Sequence, residues 1–107
     1  MKILGIDPGL VNTGFGIVSY KKTIEAIDYG TISPDKYLSL SARLHTIYSD
    51  TKVLIEKDSP DCLSIEEVFY SNNVKTTMKL GQARGAVLIA AADYSLAVYE
   101  YSARKIK

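Results

Sequence analysis

The spacing of apolar residues changes abruptly at Leu40, and that change constrains the fold more than any other feature of the chain. Before it, short β-favouring runs alternate with turns. Lys2-Ile-Leu-Gly-Ile-Asp7 ends in Asp-Pro-Gly, and the runs Gly14 to Tyr20 and Thr23 to Ser33 are separated by Lys21-Lys22. After it, Leu40, Leu44, Ile47, Tyr48, Thr51, Leu54 and Ile55 recur at threes and fours, which predicts an amphipathic helix closed by Ser59-Pro60-Asp61. Cys62 to Phe69 reads as a buried parallel strand reached through that helix. Ser71-Asn72-Asn73 offers N-caps for a second helix over Val74–Ala92, and Leu96 to Tyr101 reads as a last strand. The order β-β-β-α-β-α-β predicts an α/β domain with a mixed sheet, its first three strands antiparallel.

At 107 residues the chain makes one domain, and 47% hydrophobic with 23% charged residues is the composition of a folded core rather than of disorder. Its single cysteine, Cys62, excludes an intramolecular disulfide and a cysteine zinc site, and reads as an inert core thiol. The longest run without a polar residue, Ala86 to Ala92, is far below the ~20 residues that span a bilayer. A carboxylate at position 7 also interrupts the stretch that a signal peptide would need. A cytoplasmic protein is expected, with no membrane partner.

Charge is unevenly placed. Residues 1–70 hold seven Lys/Arg against ten Asp/Glu, a net of −3, whereas residues 71–107 hold six against two, a net of +4. An acidic body beside a basic final third suits carboxylates facing one way and a polyanion-facing surface next to them; chance clustering in a short chain accounts for it equally well. The second helix is apolar on two sides. One stripe is Val74, Met78, Gly81, Gly85, Leu88 and Ala92, and the opposite side holds Leu80, Ala83, Val87 and Ala91. Such a helix is either sandwiched in a core or shared with another subunit, and the two glycines imply that something packs closely on them.

Two acids lie on apolar strands, Asp7 at the end of the first and Glu66 in the strand from Cys62. If those strands are parallel neighbours, both acids stand near the carboxyl edge of the sheet, where open α/β sheets bind ligands. Carboxylate oxygens converging there without His or Cys suit Mg²⁺ or Mn²⁺. The alternative is one acid capping a turn and the other exposed at a strand end.

Four runs occur in order along the chain: Ile3-Leu-Gly-Ile-Asp7-Pro-Gly9 through Thr13-Gly14-Phe-Gly16, Ile65-Glu66-Glu67-Val68-Phe69, Lys79-Leu-Gly-Gln-Ala-Arg84-Gly85, and Tyr99-Glu-Tyr-Ser-Ala-Arg104-Lys-Ile-Lys107. Together they resemble the bacterial Holliday-junction resolvases of the RuvC family. The resemblance implies a ribonuclease H-like fold and paired, metal-dependent phosphodiester hydrolysis of four-way DNA junctions in recombination and repair. In that family two Mg²⁺ ions ~4 Å apart activate water and stabilise the leaving oxygen. By the same resemblance Asp7 and Glu66 match two of four catalytic, metal-binding carboxylates, Phe69 matches an aromatic that contacts a base, and Lys107 a lysine near the scissile phosphate. Lys75, Lys79 and Arg84 would touch backbone phosphates, although a solvated helix face explains the two lysines nearly as well, and Arg84 lies on another side of the helix. The remaining two family acids would lie beyond Lys107, so the chain is expected to be a shortened member with little or no cutting activity of its own.

The resemblance further implies a homodimer, because a two-fold junction is resolved by two matched nicks; the helix over Val74–Ala92 is the expected interface. A branch-migration helicase complex is the other implied partner. Competing expectations are a fragment that binds branched DNA without cutting, a nuclease that matures ribosomal RNA, and a piece of an actin/Hsp70-like ATPase, whose phosphate hairpin resembles Gly5-Ile-Asp7-Pro-Gly9.

Overall fold

The computed structural model describes residues 1–67 and 73–101. Three strands come first, β1 (Lys2–Asp7), β2 (Thr13–Tyr20) and β3 (Ile24–Ile32), followed by α1 (Leu40–Asp58), β4 (Cys62–Glu66), α2 (Val74–Asp93) and β5 (Ala97–Tyr101). The expected order therefore holds. The strand expected over Cys62–Phe69 ends at Glu66, and Phe69 and Lys107 lie outside the described residues.

The five strands form one sheet in the order β3-β2-β1-β4-β5. β1 and β2 pair antiparallel, as do β2 and β3, while β4 runs parallel to β1 and β5 parallel to β4. α1 links β3 to β4 and α2 links β4 to β5, both steps going the same way across the sheet, so crossovers of one hand put both helices on the same face. Alternation does the rest. Leu4, Ile6, Ile17, Ile32, Leu63 and Ile65 all project to that face and join Ile47, Leu54 and Ile55 of α1 and Ala83, Ala86, Val87 and Ala91 of α2 in a single core.

Both helices begin on side-chain caps. Ser39 accepts the Ala42 N–H and Asn73 accepts the Thr76 N–H, so Asn73 is the N-cap among the three candidates. α1 ends at Ser59, whose left-handed backbone lets its N–H reach the Ile55 carbonyl.

The structure separates the two apolar sides of α2. Within the chain the stripe through Val74, Met78, Gly81 and Gly85 is left open: Val74 is 70% and Met78 59% exposed, and a Cβ on either glycine would meet nothing within 4 Å. The core instead takes the alanine-rich side, with Ala83, Ala86, Val87, Ala90 and Ala91 buried. Small side chains let α2 lie close to both α1 and the sheet, and that close approach outweighs the greater apolar area of the other stripe. Leu88 alone of that stripe packs partly against the core.

Candidate active site

β1 and β4 are adjacent and parallel with Ile6 opposite Ile65, so Asp7 and Glu66 each lie one residue further on, side by side at the carboxyl edge of the sheet. Both project to the face away from the helices, because Ile6 and Ile65 project into the core. Asp7 is exposed and Glu66 partly buried. Among the described residues, neither carboxylate takes part in an ion pair: the three ion pairs are Lys52–Asp93, Lys57–Asp28 and Arg84–Glu100. Two neighbouring acids without a basic partner repel each other, and a hard divalent cation relieves that repulsion best.

The turn after Asp7 is held rigidly. Thr13, fully buried, donates its hydroxyl to the Gly9 carbonyl at 2.7 Å and accepts the Gly9 N–H at 3.1 Å. Position 9 admits no side chain, since a Cβ there would stand 2.2 Å from the Asn12 carbonyl oxygen. On the other side of β1, Gly14 pairs with Asp7 and leaves the carboxylate's flank open.

No cluster of three or more His, Cys, Asp or Glu side chains that could hold a metal ion occurs among the described residues. Residues 68–72 and 102–107 contain no such residue types either. Among the described residues the carboxyl edge thus brings together two carboxylates, Asp7 and Glu66. Both fit a Mg²⁺- or Mn²⁺-type ion as hard oxygen donors, but two ligands leave most of an octahedral shell to water and substrate.

The other expected site residues separate into two groups. Lys75 and Lys79 are exposed on the first turns of α2, the end of the helix that follows the carboxyl edge of β4. Arg84 is elsewhere: its side chain is only 19% exposed and its guanidinium holds Glu100 of β5 at 2.7 Å. His45 is exposed and Cys62 is a buried free thiol that burial pushes above its usual pKa. Tyr101, which carried no expectation, stands opposite Glu66 across the β4–β5 pair. Burial pushes its phenol upward, and the charges of Glu66 and then Asp7 push it further, which places all three groups in one electrostatic neighbourhood.

The family model described as crossover junction endodeoxyribonuclease RuvC matches residues 3–107. The chain belongs to the RuvC family. The RuvC of Geotalea uraniireducens is 44% identical over 108 residues, a match that covers 100% of this chain and 63% of that protein. The RuvC of Alkaliphilus oremlandii is 39% identical over 108 residues, covering 100% of this chain and 66% of that protein. This chain thus spans somewhat under two thirds of the length of these relatives. Thermus thermophilus RuvC, solved in complex with a Holliday junction substrate, superposes with a TM-score of 0.92 at 25% identity, over 100% of this chain and 68% of that one. The RuvC-family chain accordingly has the ribonuclease H-like fold, a mixed five-stranded sheet with helices. The ATPase and ribosomal-RNA expectations drew on part of the same residues, but the matched family is the junction nuclease.

Proposed function

We propose that this RuvC-family chain carries, in Asp7 and Glu66, metal-binding carboxylates of a structure-specific endonuclease that resolves four-way DNA junctions. The observation that carries the reading is the register that sets Asp7 beside Glu66 at the open carboxyl edge of adjacent parallel strands. Asp7 and Glu66 would hold Mg²⁺- or Mn²⁺-type ions through their hard carboxylate oxygens. Such ions, when bound, supply Lewis acidity that activates water and offsets charge on the leaving oxygen. The protein's own part is to present unpaired oxygens on strands stiffened by pairing on both sides, so that the carboxylates need little reorganisation.

Lys75 and Lys79, at the end of α2 that follows the carboxylate edge, would meet backbone phosphates, and the family resemblance implies that Phe69 contacts a base and Lys107 lies near the scissile phosphate. Arg84 would have to exchange Glu100 for a phosphate to join them. The outward stripe of α2, with Val74, Met78, Gly85 and Ile89 unpacked within the chain, supports a homodimer through that helix. In light scattering, a Met78→Glu, Ile89→Glu variant should have half the mass of the wild type; an unchanged mass would remove the interface. A junction nuclease works where the chromosome is, which in a bacterium is the cytoplasm.

The test is a gel shift with a four-way junction and a linear duplex in Ca²⁺, followed by cleavage in Mg²⁺. Junction-selective binding that weakens steeply with salt is the expected result. Equal affinity for junction and duplex would contradict the proposal, as would cutting that is unchanged in an Asp7→Asn, Glu66→Gln variant.

A further inference from the structure

The loop between β3 and α1 has no task in the reading above, yet the sheet delivers it to the carboxyl edge. Ile32, the last residue of β3, pairs with Thr13 of β2, and the next residue of β2, Gly14, pairs with Asp7. β3 therefore ends at the same edge as Asp7, two strand spacings or about 10 Å across the sheet. The chain then turns over Asp35, whose carbonyl accepts the Leu38 N–H at 3.1 Å and whose carboxylate accepts the Tyr37 N–H at 2.9 Å. Lys36 and Tyr37 are the two residues at the tip. Arg43 of α1 braces them, donating to the Lys36 carbonyl at 2.7 Å and to the Leu38 carbonyl at 3.4 Å. The Ser33 hydroxyl ties the loop to the Asn12 side chain, in the turn after Asp7, at 2.7 Å. What this bracing presents is a ring left in water: Tyr37 is 85% exposed, with the Lys36 ammonium 5.2 Å from its ring centroid.

A ring fixed in water adds little to stability, but its loop needs no further ordering when a partner covers it. The partner's chemistry follows from what stands beside the ring. Among the described residues Lys36 is in no ion pair, and a flat ring beside that ammonium is complementary to a polymer of flat bases and anionic links. Lys75 and Lys79 stand on the helix that leaves β4, on the opposite side of Asp7 from β3. A strand crossing Asp7 and Glu66 would thus meet basic residues on both sides. A continuous duplex hides its base faces except at its ends, whereas a four-way junction exposes them where its arms part. We propose that Tyr37 is a specificity-determining residue for branched DNA: its ring stacks on a base exposed at the branch while Lys36 meets a neighbouring phosphate. The proposal rests on the junction-nuclease reading.

The experiment is a fluorescence-anisotropy titration of a four-way junction and of a linear duplex in Ca²⁺ at several salt concentrations, for wild type, Tyr37→Ala, Tyr37→Phe and Lys36→Ala. Tyr37→Ala should bind the junction about tenfold more weakly, as the loss of one base–aromatic stack does. It should bind the duplex as wild type does, which also shows that the variant is folded. Tyr37→Phe keeps the ring and should match wild type on both. Lys36→Ala should weaken both, with a salt slope smaller by about one phosphate contact; an unchanged slope removes that contact. A Tyr37→Ala variant with wild-type junction affinity, or one that loses as much on duplex as on junction, overturns the role of Tyr37, as does a Tyr37→Phe variant that behaves like Tyr37→Ala. A wild type that binds junction and duplex alike overturns the junction reading itself and the role of Tyr37 with it.

Discussion

A single methyl group distinguishes two of the glycines near the site. At position 9 it would press on the Asn12 carbonyl oxygen at 2.2 Å, whereas at position 16 it would meet nothing within 4 Å. Gly9→Ala should therefore cost about 1–3 kcal/mol, as strained turns do, and disturb the loop that follows Asp7. Gly16→Ala, in the middle of β2, should be neutral or stabilise by about 0.5–1 kcal/mol through the unfolded chain. Urea unfolding of the two variants measures both; equal losses would contradict the geometry. The two acids were legible in the sequence because a carboxylate on an apolar strand needs a reason. Tyr101 was not, since nothing distinguishes one of eight tyrosines until a register sets it opposite an acid. The Glu100 partner of Arg84 was equally silent: an arginine among basic neighbours looks available for phosphate until its ion pair is seen.

The boundaries of the elements were legible almost to the residue, because turn residues and caps mark them locally: Leu40 begins α1 and Asn73 caps α2. The orientation of α2 was not. Periodicity reports that a side is apolar and not how close its neighbour comes, and close packing selected the alanines. Enlarging one of them tests this. Ala83→Leu should cost about 1–3 kcal/mol by overpacking, while Ile89→Ala on the outward side should stay within about 0.5 kcal/mol of wild type in the monomer.

The two helices are also tied by a polar clasp. Tyr48 of α1 donates to Asp93 at the end of α2, Lys52 reaches both at 3.1 and 3.3 Å, and Tyr94 donates to Glu56. The Tyr48 hydroxyl, and Lys52 after it, hold the Asp93 carboxyl below its usual range. A lowered carboxyl pKa stabilises the fold above the unfolded value near 3.8, and that contribution fades as pH falls through the folded value. The stability gap between wild type and Asp93→Asn should thus be present at pH 6 and close below about pH 4. A gap that persists at low pH would show that the clasp does not work through the charge of Asp93.

At the scale of the whole molecule, the fold separates two jobs. One face of the sheet is spent on the core with α1 and α2, and the other carries Asp7, Glu66 and Tyr101 at one edge. The carboxyl ends of β1, β4 and β5 converge there because all three strands run the same way, so three residues far apart in sequence become neighbours without any loop having to hold them. Whether that edge binds a divalent cation decides the proposed function. Trace Mn²⁺ added to ¹⁵N-labelled protein broadens amide signals near the bound ion and reports its position directly. Signals of Asp7, Gly14, Glu66 and Tyr101 should broaden first, and the Asp7→Asn, Glu66→Gln variant should lose the effect. Broadening centred on other acids, such as Glu25 and Asp28, or unchanged in that variant, would contradict the account.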